Sequence, residues 1–488
     1  MSGADLPPSI SSSNGPAVDL APEGVLERIA ARFTSFSERY IPDAYVFALV
    51  ATFVVFVAAA TTTDRTAGDV VEIWGKGFFE LLAFTLQMAL IVVTGYVVST
   101  SPPVHRAIGK LASLPKTSEG AATMIAVVAM GTAWVNWGFG LMFSAMLAKE
   151  TARRVPEADY KTLAACSFMG LGSIWAQGLS GSAALQMSSP TAMPAATREI
   201  ISHGGLVEGG VIPLANTIFL WQSFAAVAIE VVVVTALVYF AAPRKGRARN
   251  AASLGIELEA AKAEEPVVSR GTPGEWLEHS RILPALFFAL AATYLVRHFA
   301  RAPSALGAVS FDSINLFFLA TGVLLHGTPA RLMRAFRDAT PSVWAILLQY
   351  PLYAGIAAMI SKTHLNESIA SAFVSISTRE TFPALIAVYS AVLGIFVPSG
   401  GSKWVIEAPY VMQAAHELRV HLGWMVAVYD LGEAVANLIQ PFWMLPVLGI
   451  FRLRAKDVMG FTFLVFLVLA PLVLVLVTVL GMTLRYPL

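Results

Sequence analysis

A helix needs about 20 consecutive apolar residues to cross the ~30 Å hydrocarbon layer of a bilayer. This chain supplies runs of that order repeatedly, at about 44–60, 78–99, 163–187, 215–241, 281–297, 312–326, 341–361, 424–450 and 458–482. Of its 488 residues 56% are hydrophobic and 13% charged, and the formal net charge is +1. The charges are gathered, with nine in residues 1–43 and thirteen in 243–281. What remains is too apolar for a water-facing surface, so the expected fold is an all-α polytopic membrane protein. Such a composition excludes a disordered chain, and without a basic excess no nucleic-acid partner is expected. The single cysteine, Cys166, leaves no disulfide framework and no Cys-based metal site. No cofactor is expected.

Two further apolar regions, 119–149 and 382–415, are each interrupted by a glycine-rich break, Asn136-Trp137-Gly138-Phe139-Gly140 and Ser399-Gly400-Gly401-Ser402. Their first arms, read as some 15 residues or ~22 Å of helix, are short for a crossing. Both regions read as re-entrant hairpins, added to about nine transmembrane helices. Non-helical backbone at that depth must be satisfied by protein or by a water-filled cavity. Loops 100–118, 149–162, 242–281, 327–340 and 451–457 carry three to seven Lys or Arg each, whereas the alternate loops carry one or two. A cytoplasmic N-terminus puts every basic-rich loop inside, as the charge rule requires.

The chain also reads as an inverted repeat. An offset of 262 carries Leu86-Gln87 to Leu348-Gln349, Gly138 to Gly400 and Gly170 to Gly432. The order of span, Gln-bearing span, hairpin and glycine-bearing span recurs with it. The organisation expected is a cytoplasmic tail (1–40), a first repeat (41–242), a cytoplasmic linker (243–280), a connecting helix (281–300) and a second, inverted repeat (310–483). Inverted repeats with broken helices are the build of secondary transporters, whose sites lie at the breaks.

The candidate residues follow from that build. At the first tip Asn136, Trp137 and Gly138 open a helix whose N–H groups suit an anion, while exposed carbonyls suit a cation. Ser399, Gly400, Gly401 and Ser402 repeat the arrangement. The stretch Gly170–Ser182, with Ser173, Gln177, Ser180 and Ser182, reads as an unwound segment of a span, although small residues also serve close helix packing. In its counterpart, Glu433 is a carboxylate inside a span and so a candidate for ion coupling, with Asn437 and Gln440 nearby. Asp430 reads as the start of that span. Lys403 admits two readings, an ion pair with Glu407 four residues on, or a fixed charge facing the cavity and the substrate. Glu230 lies mid-span and the sequence offers it no partner. Gly178-Leu179-Ser180-Gly181 resembles the nucleophile motif of an intramembrane serine hydrolase, but that chemistry needs a His base, and no histidine lies at mid-membrane depth.

Phe78–Phe84, Asn136–Leu141, Leu179–Ser182, Pro398–Gly401 and Gln440–Trp443 together resemble the bacterial short-chain fatty acid transporter family. That family belongs to the ion-transporter superfamily of inverted-repeat, two-hairpin carriers. The resemblance implies ion-coupled uptake of small monocarboxylates such as acetoacetate or butyrate across the inner membrane, with both hairpins moving against a homodimeric scaffold as an elevator. A dicarboxylate or other small-anion carrier is the alternative. Substrate contacts are then expected from Asn136, Trp137, Gly138, Ser173, Gln177, Ser180, Ser182, Ser399–Lys403 and Asn437. Asn136, Ser399, Glu433 and Gln440 are the expected ion-coupling set, for sodium near the tips or for a proton. Ser402-Lys403, Glu407 and Ser188-Ser189-Pro190 depart from the family pattern.

Overall fold

The computed structural model describes residues 44–189, 192–193, 195–202, 207–244, 248–258, 271–302, 305–397, 399–440 and 442–488. The expected tail, the central part of the linker, Pro190, Pro398 and Pro441 lie outside the described residues. Within them the chain is helical and no strand occurs. The first half comprises α1 (Ala44–Thr62), α2 (Ala67–Gly77), α3 (Leu82–Ser99), α4 (Pro102–Leu111), α5 (Ser118–Val135), α6 (Trp137–Arg154), α7 (Tyr160–Ser167), α8 (Ser182–Ser188), α9 (Ala195–Ser202) and α10 (Trp221–Ala241). Then come α11 (Pro273–Glu278) and α12 (Ile282–Arg301). The second half comprises α13 (Phe311–His326), α14 (Pro329–Ala339), α15 (Trp344–Lys362), α16 (Leu365–Ile376), α17 (Phe382–Phe396), α18 (Gly400–Glu417), α19 (Leu422–Ala436), α20 (Leu445–Phe451) and α21 (Ala455–Gly481).

Local chemistry sets many of these boundaries. Thr66 and Asp69 close a capping box on α2, and Ser310 and Ser313 close one on α13. Thr328 caps α14 with Pro329 at its first turn, after Gly327 ends α13 at a φ of 73°, which favours glycine. Seven described helices are long and apolar enough to cross a bilayer. Six of them are expected spans; the seventh is α5. It has 18 residues, about 27 Å of helix, so the expected shortness of the first hairpin's leading arm does not hold. The spans expected at 163–187 and 424–450 are both broken. Apolar side chains on α1, α10 and α12 stay outward, Phe53 at 68% and Leu290 at 73% exposed, which is the surface lipid covers.

The 262 offset holds element by element from α1–α8 to α13–α20, and α2 maps residue for residue onto α14. Contacts repeat too. Helix α3 packs on α6 as α15 packs on α18, and α5 on α10 as α17 on α21. The opening helices are exchanged, α1 lying on α15 and α13 on α3. The loops also sort onto two faces. At the start of α21, Lys161 meets Asp457 at 2.8 Å, and the backbone of Arg249 donates to Asp159 at 2.8 Å. Beyond its other end, Arg379 donates to the Leu484 carbonyl at 3.1 Å. The 27 residues between separate these faces by about 40 Å. The open end of the first hairpin lies on the face of the basic loops, where Asp159 N–H donates to Ser118 Oγ at 3.2 Å. That of the second lies on the other, where Asn366 donates to Gln413 at 2.9 Å.

Candidate functional site

The two tips and the two breaks converge. Asn136, extended at φ −153°, separates α5 from α6 and caps the latter, its Oδ1 accepting from Phe139 N–H at 2.9 Å. The next amide, Trp137 N–H, donates to Ser180 Oγ at 2.9 Å, so the broken span holds the tip. That span leaves helical geometry after Ser167, passes one short 3₁₀ turn at Trp175–Gln177, and resumes at Ser182. Its glycines serve the close-packing reading as well. A Cβ on Gly178 would lie 2.2 Å from the Trp134 carbonyl oxygen, whose backbone cannot yield. In the second half α19 runs unbroken through Asp430 and Glu433, and the break comes only at 437–444. Asp430 is therefore a fully buried mid-helix residue, not the start of the span.

Between the tips lies a cavity of about 20 Å³, room for little more than one water. Six of the candidate residues, Trp137, Ser182, Ser399, Gly400, Gly401 and Asn437, line it. Met88, Leu171, Trp175, Ile346, Tyr350 and Trp443 complete the wall and were not anticipated. The repeat offset could have found Trp175, which it pairs with Asn437, and it also pairs Met88 with Tyr350 and Trp137 with Ser399 across the cavity. Ser399 Oγ shares a hydrogen bond with Tyr350 Oη at 2.9 Å. Gly401 has no room for a side chain, because a Cβ would sit 3.0 Å from both Phe84 Cζ and Ser182 Cβ.

The other expected residues make contacts within the protein. Ser173 Oγ donates to its own backbone at Met169 O, 2.6 Å away. Asn437 donates to Leu171 O at 3.0 Å and accepts from Gln440 at 2.8 Å, so Gln440 braces the second break. Gly138 packs against Ile91, and Ser402 is buried beside the cavity. Gln177 turns away to donate to Glu230 at 2.9 Å, giving that carboxyl the partner the sequence did not reveal. Both readings of Lys403 fail. Its ammonium pairs with Glu433 Oε2 at 2.6 Å and donates to the Ser390 carbonyl at 2.5 Å and Oγ at 3.0 Å. It neither pairs with Glu407 by a direct contact nor lines the cavity. Physically, α17 and α19 pack so tightly that their oxygens reach the ammonium before the next turn of α18 can.

Among the described residues, buried donors near the tips without a partner include Trp137 Nε1, Trp175 Nε1 and Asn136 Nδ2. The two indoles pack edge to face with centroids 6.2 Å apart, and Trp443 closes on Trp137 at 5.2 Å. Beyond Trp137 and Trp443 a second cavity of about 690 Å³ leads to Lys149, Arg153 and His105 on the face of the basic loops. The arrangement can bind a small group through N–H donors and expose it to one side only.

Residues 25–481 match the short chain fatty acid transporter family. A relative from Haemophilus influenzae that carries this family's name is 35% identical over 456 residues, covering 92% of this chain and 99% of its own. One from Escherichia coli K12 is 36% identical over 441 residues, covering 90% and 96%. Among solved structures, the YdaH transporter of Alcanivorax borkumensis superposes with a TM-score of 0.56 at 14% identity, over 90% of this chain and 98% of its own. MtrF of Neisseria gonorrhoeae, described as representing antimetabolite efflux pumps, gives 0.53 at 14% identity, over 94% and 98%. At that identity the likeness concerns the fold alone, a helical polytopic membrane architecture. The chain belongs to the short-chain fatty acid transporter family.

Proposed function

We propose that this protein carries short-chain monocarboxylates across the bacterial inner membrane by alternating access, with the carboxylate held between the two hairpin tips. The observation that carries the reading is the set of unpartnered N–H donors at the tips, beside a cavity with no free cation. A buried donor without an acceptor costs free energy until something supplies one, and a carboxylate supplies two oxygens. Hydroxyls of Ser182 and Ser399 adjoin the same space, which must widen to admit more than a water, and its apolar wall of Met88, Leu171 and Ile346 suits a short acyl chain. A dicarboxylate fits poorly, because its second charge would meet no counter-charge: the Lys403 ammonium is committed to Glu433.

The larger cavity makes this an inward-facing state if the basic loops and the N-terminus are cytoplasmic, as the charge rule has it. Trp137 and Trp443 then form the seam between substrate and exit, and Lys149 at its mouth, beside the paired Arg153 and Glu150, leaves a net positive charge that attracts anions. The two halves act as inverted repeats in which the hairpins and broken spans move together against α1, α3, α13 and α15, in a homodimer driven by an ion gradient. Reconstitution tests this. Labelled acetoacetate should exchange into vesicles preloaded with acetoacetate or butyrate, saturably and above protein-free vesicles. Succinate should compete weakly. Exchange no faster than the bare-lipid leak, from protein that is folded, would refute the reading.

A further inference from the structure

Among the described residues Lys403 is the only buried lysine or arginine. Its surroundings are those of a bound metal cation: a carboxylate oxygen from Glu433, a main-chain carbonyl and a hydroxyl from Ser390, all within 3.0 Å. The Tyr429 ring lies beneath it, 5.0 Å from Nζ to centroid. Three helices build this pocket, α17 with Ser390, α18 with Lys403 and α19 with Tyr429 and Glu433. The first arm makes room for the carboxylate by a glycine, since a Cβ on Gly394 would lie 2.6 Å from Glu433 Oε2.

One turn along α18 is Glu407, fully buried, with neither carboxyl oxygen hydrogen-bonded. The charged and titratable groups bearing on it are Lys403 and Tyr410 of its own helix, Tyr389 of α17, and Tyr429 and Glu433 of α19. Of these only Lys403 is a cation, and its contacts are taken. The phenols of Tyr389 and Tyr410 bond to each other at 2.9 Å. Asp430, the third carboxyl of this cluster, likewise makes no hydrogen bond through either oxygen, but it faces the backbone amides of Ala183 and Ala184 at the start of α8. Of these three carboxyls Glu407 is the one with neither an ion partner nor an amide facing it, and burying it as an unpaired anion is costly where burying the neutral acid is not.

We infer that the second hairpin carries its own cation, the Lys403 ammonium filling the place a sodium ion would take, and that Glu407 is the group that takes up and returns a proton during transport. The inference rests on the proposed monocarboxylate site. A proton from the external medium adds to a Glu407 carboxylate oxygen as the monoanion binds, so the loaded tips gain no net charge. After the monoanion leaves on the far side the same O–H gives its proton to water there. The cycle moves one anion with one proton and requires no sodium at this hairpin.

The test uses the full-length protein in proteoliposomes with labelled acetoacetate, a stronger acid than butyrate and so slower to leak. Native protein should accumulate it under an inward proton gradient with choline replacing sodium, and added sodium should change nothing. Glu407→Gln, which imitates the protonated side chain, should keep exchange at equal pH but lose gradient-driven accumulation. Lys403→Met leaves Glu433 without its cation, so its melting temperature should rise in sodium chloride relative to choline chloride, while that of native protein should not. Accumulation that needs a sodium gradient, or gradient-driven accumulation by Glu407→Gln at the native level, overturns the inference. So does loss of both exchange and accumulation in a Glu407→Gln protein that melts normally, since that marks a structural role. Failure of exchange by the native protein strikes the substrate reading instead.

Discussion

Replacing Trp175 by Phe separates hydrogen bonding from packing at the proposed carboxylate site. The change keeps an aromatic ring against Trp137, where the indoles meet at 6.2 Å, and deletes the Nε1–H that has no partner within the protein. A hydrogen bond to a charged group contributes about 1.5–3 kcal/mol, so butyrate affinity should fall by roughly ten- to hundredfold. Some loss would come from the smaller ring alone. Butyramide controls for this, having the same shape and no charge. The variant should weaken butyrate clearly more than butyramide, measured by calorimetry or competition on purified protein. Trp74 supplies a second control, because its Nε1 is equally buried and unpartnered yet lies outside the tip cavity. Trp74→Phe should leave butyrate affinity unchanged. Native-like butyrate affinity in Trp175→Phe, or equal losses for acid and amide, would refute the donor argument and leave Trp175 as a packing residue.

Further outcomes follow from the same geometry. Gly178→Ala sets a Cβ 2.2 Å from a backbone carbonyl and should destabilise by about 1–3 kcal/mol, seen as a lower melting temperature, whereas Gly75→Ala meets nothing within 4 Å and should be neutral or better. Cysteines at Lys116 and Arg154 should label with an impermeant maleimide from one side of the membrane and cysteines at Lys362 and His416 from the other; a shared side would dismantle the two-face arrangement. Met142 lines the large cavity but not the tip site, so Met142→Trp should slow exchange while leaving butyrate affinity near native. Reduced affinity there would mean that the substrate binds in the large cavity.

Much of this architecture is legible in the sequence because lipid imposes simple rules. Apolar length marks the spans, Lys and Arg sort the loops, and glycine-rich tips mark the breaks. The 262 offset holds through eight elements although few residues match, since the order of spans and breaks is kept where side chains are free to drift. Helix length misleads at α5, whose 18 residues equal those of a full span. Its hairpin character comes from tertiary contact, the tip at Asn136–Trp137 ending against Ser180 and Trp175. Gly432 looks like an unwinding residue, but it lets α19 approach α17, where a Cβ would lie 2.3 Å from the Ala387 carbonyl oxygen.

The candidate site divides on a different principle. Polar side chains inside spans were all reasonable candidates, because each is costly in lipid and needs some reason to be there. The structure supplies an internal reason for many of them. Ser180 accepts from a tip amide, Gln177 bonds Glu230 across 53 positions, and Lys403 meets Glu433 across thirty. Such pairings depend on which helices touch, so a single sequence cannot distinguish a polar group already satisfied from one awaiting a ligand. The unpartnered indole donors carry the opposite lesson. Trp175 reads in sequence as a bulk apolar residue at a membrane protein's core, yet its buried indole N–H, like that of Trp137, is a donor that must find an acceptor. On the proposed reading, recognition of a small anion falls to the groups the protein leaves unsatisfied after its own helices have paired. That is why the aromatic residues at the tips, rather than the single buried lysine, are the places to look for the substrate.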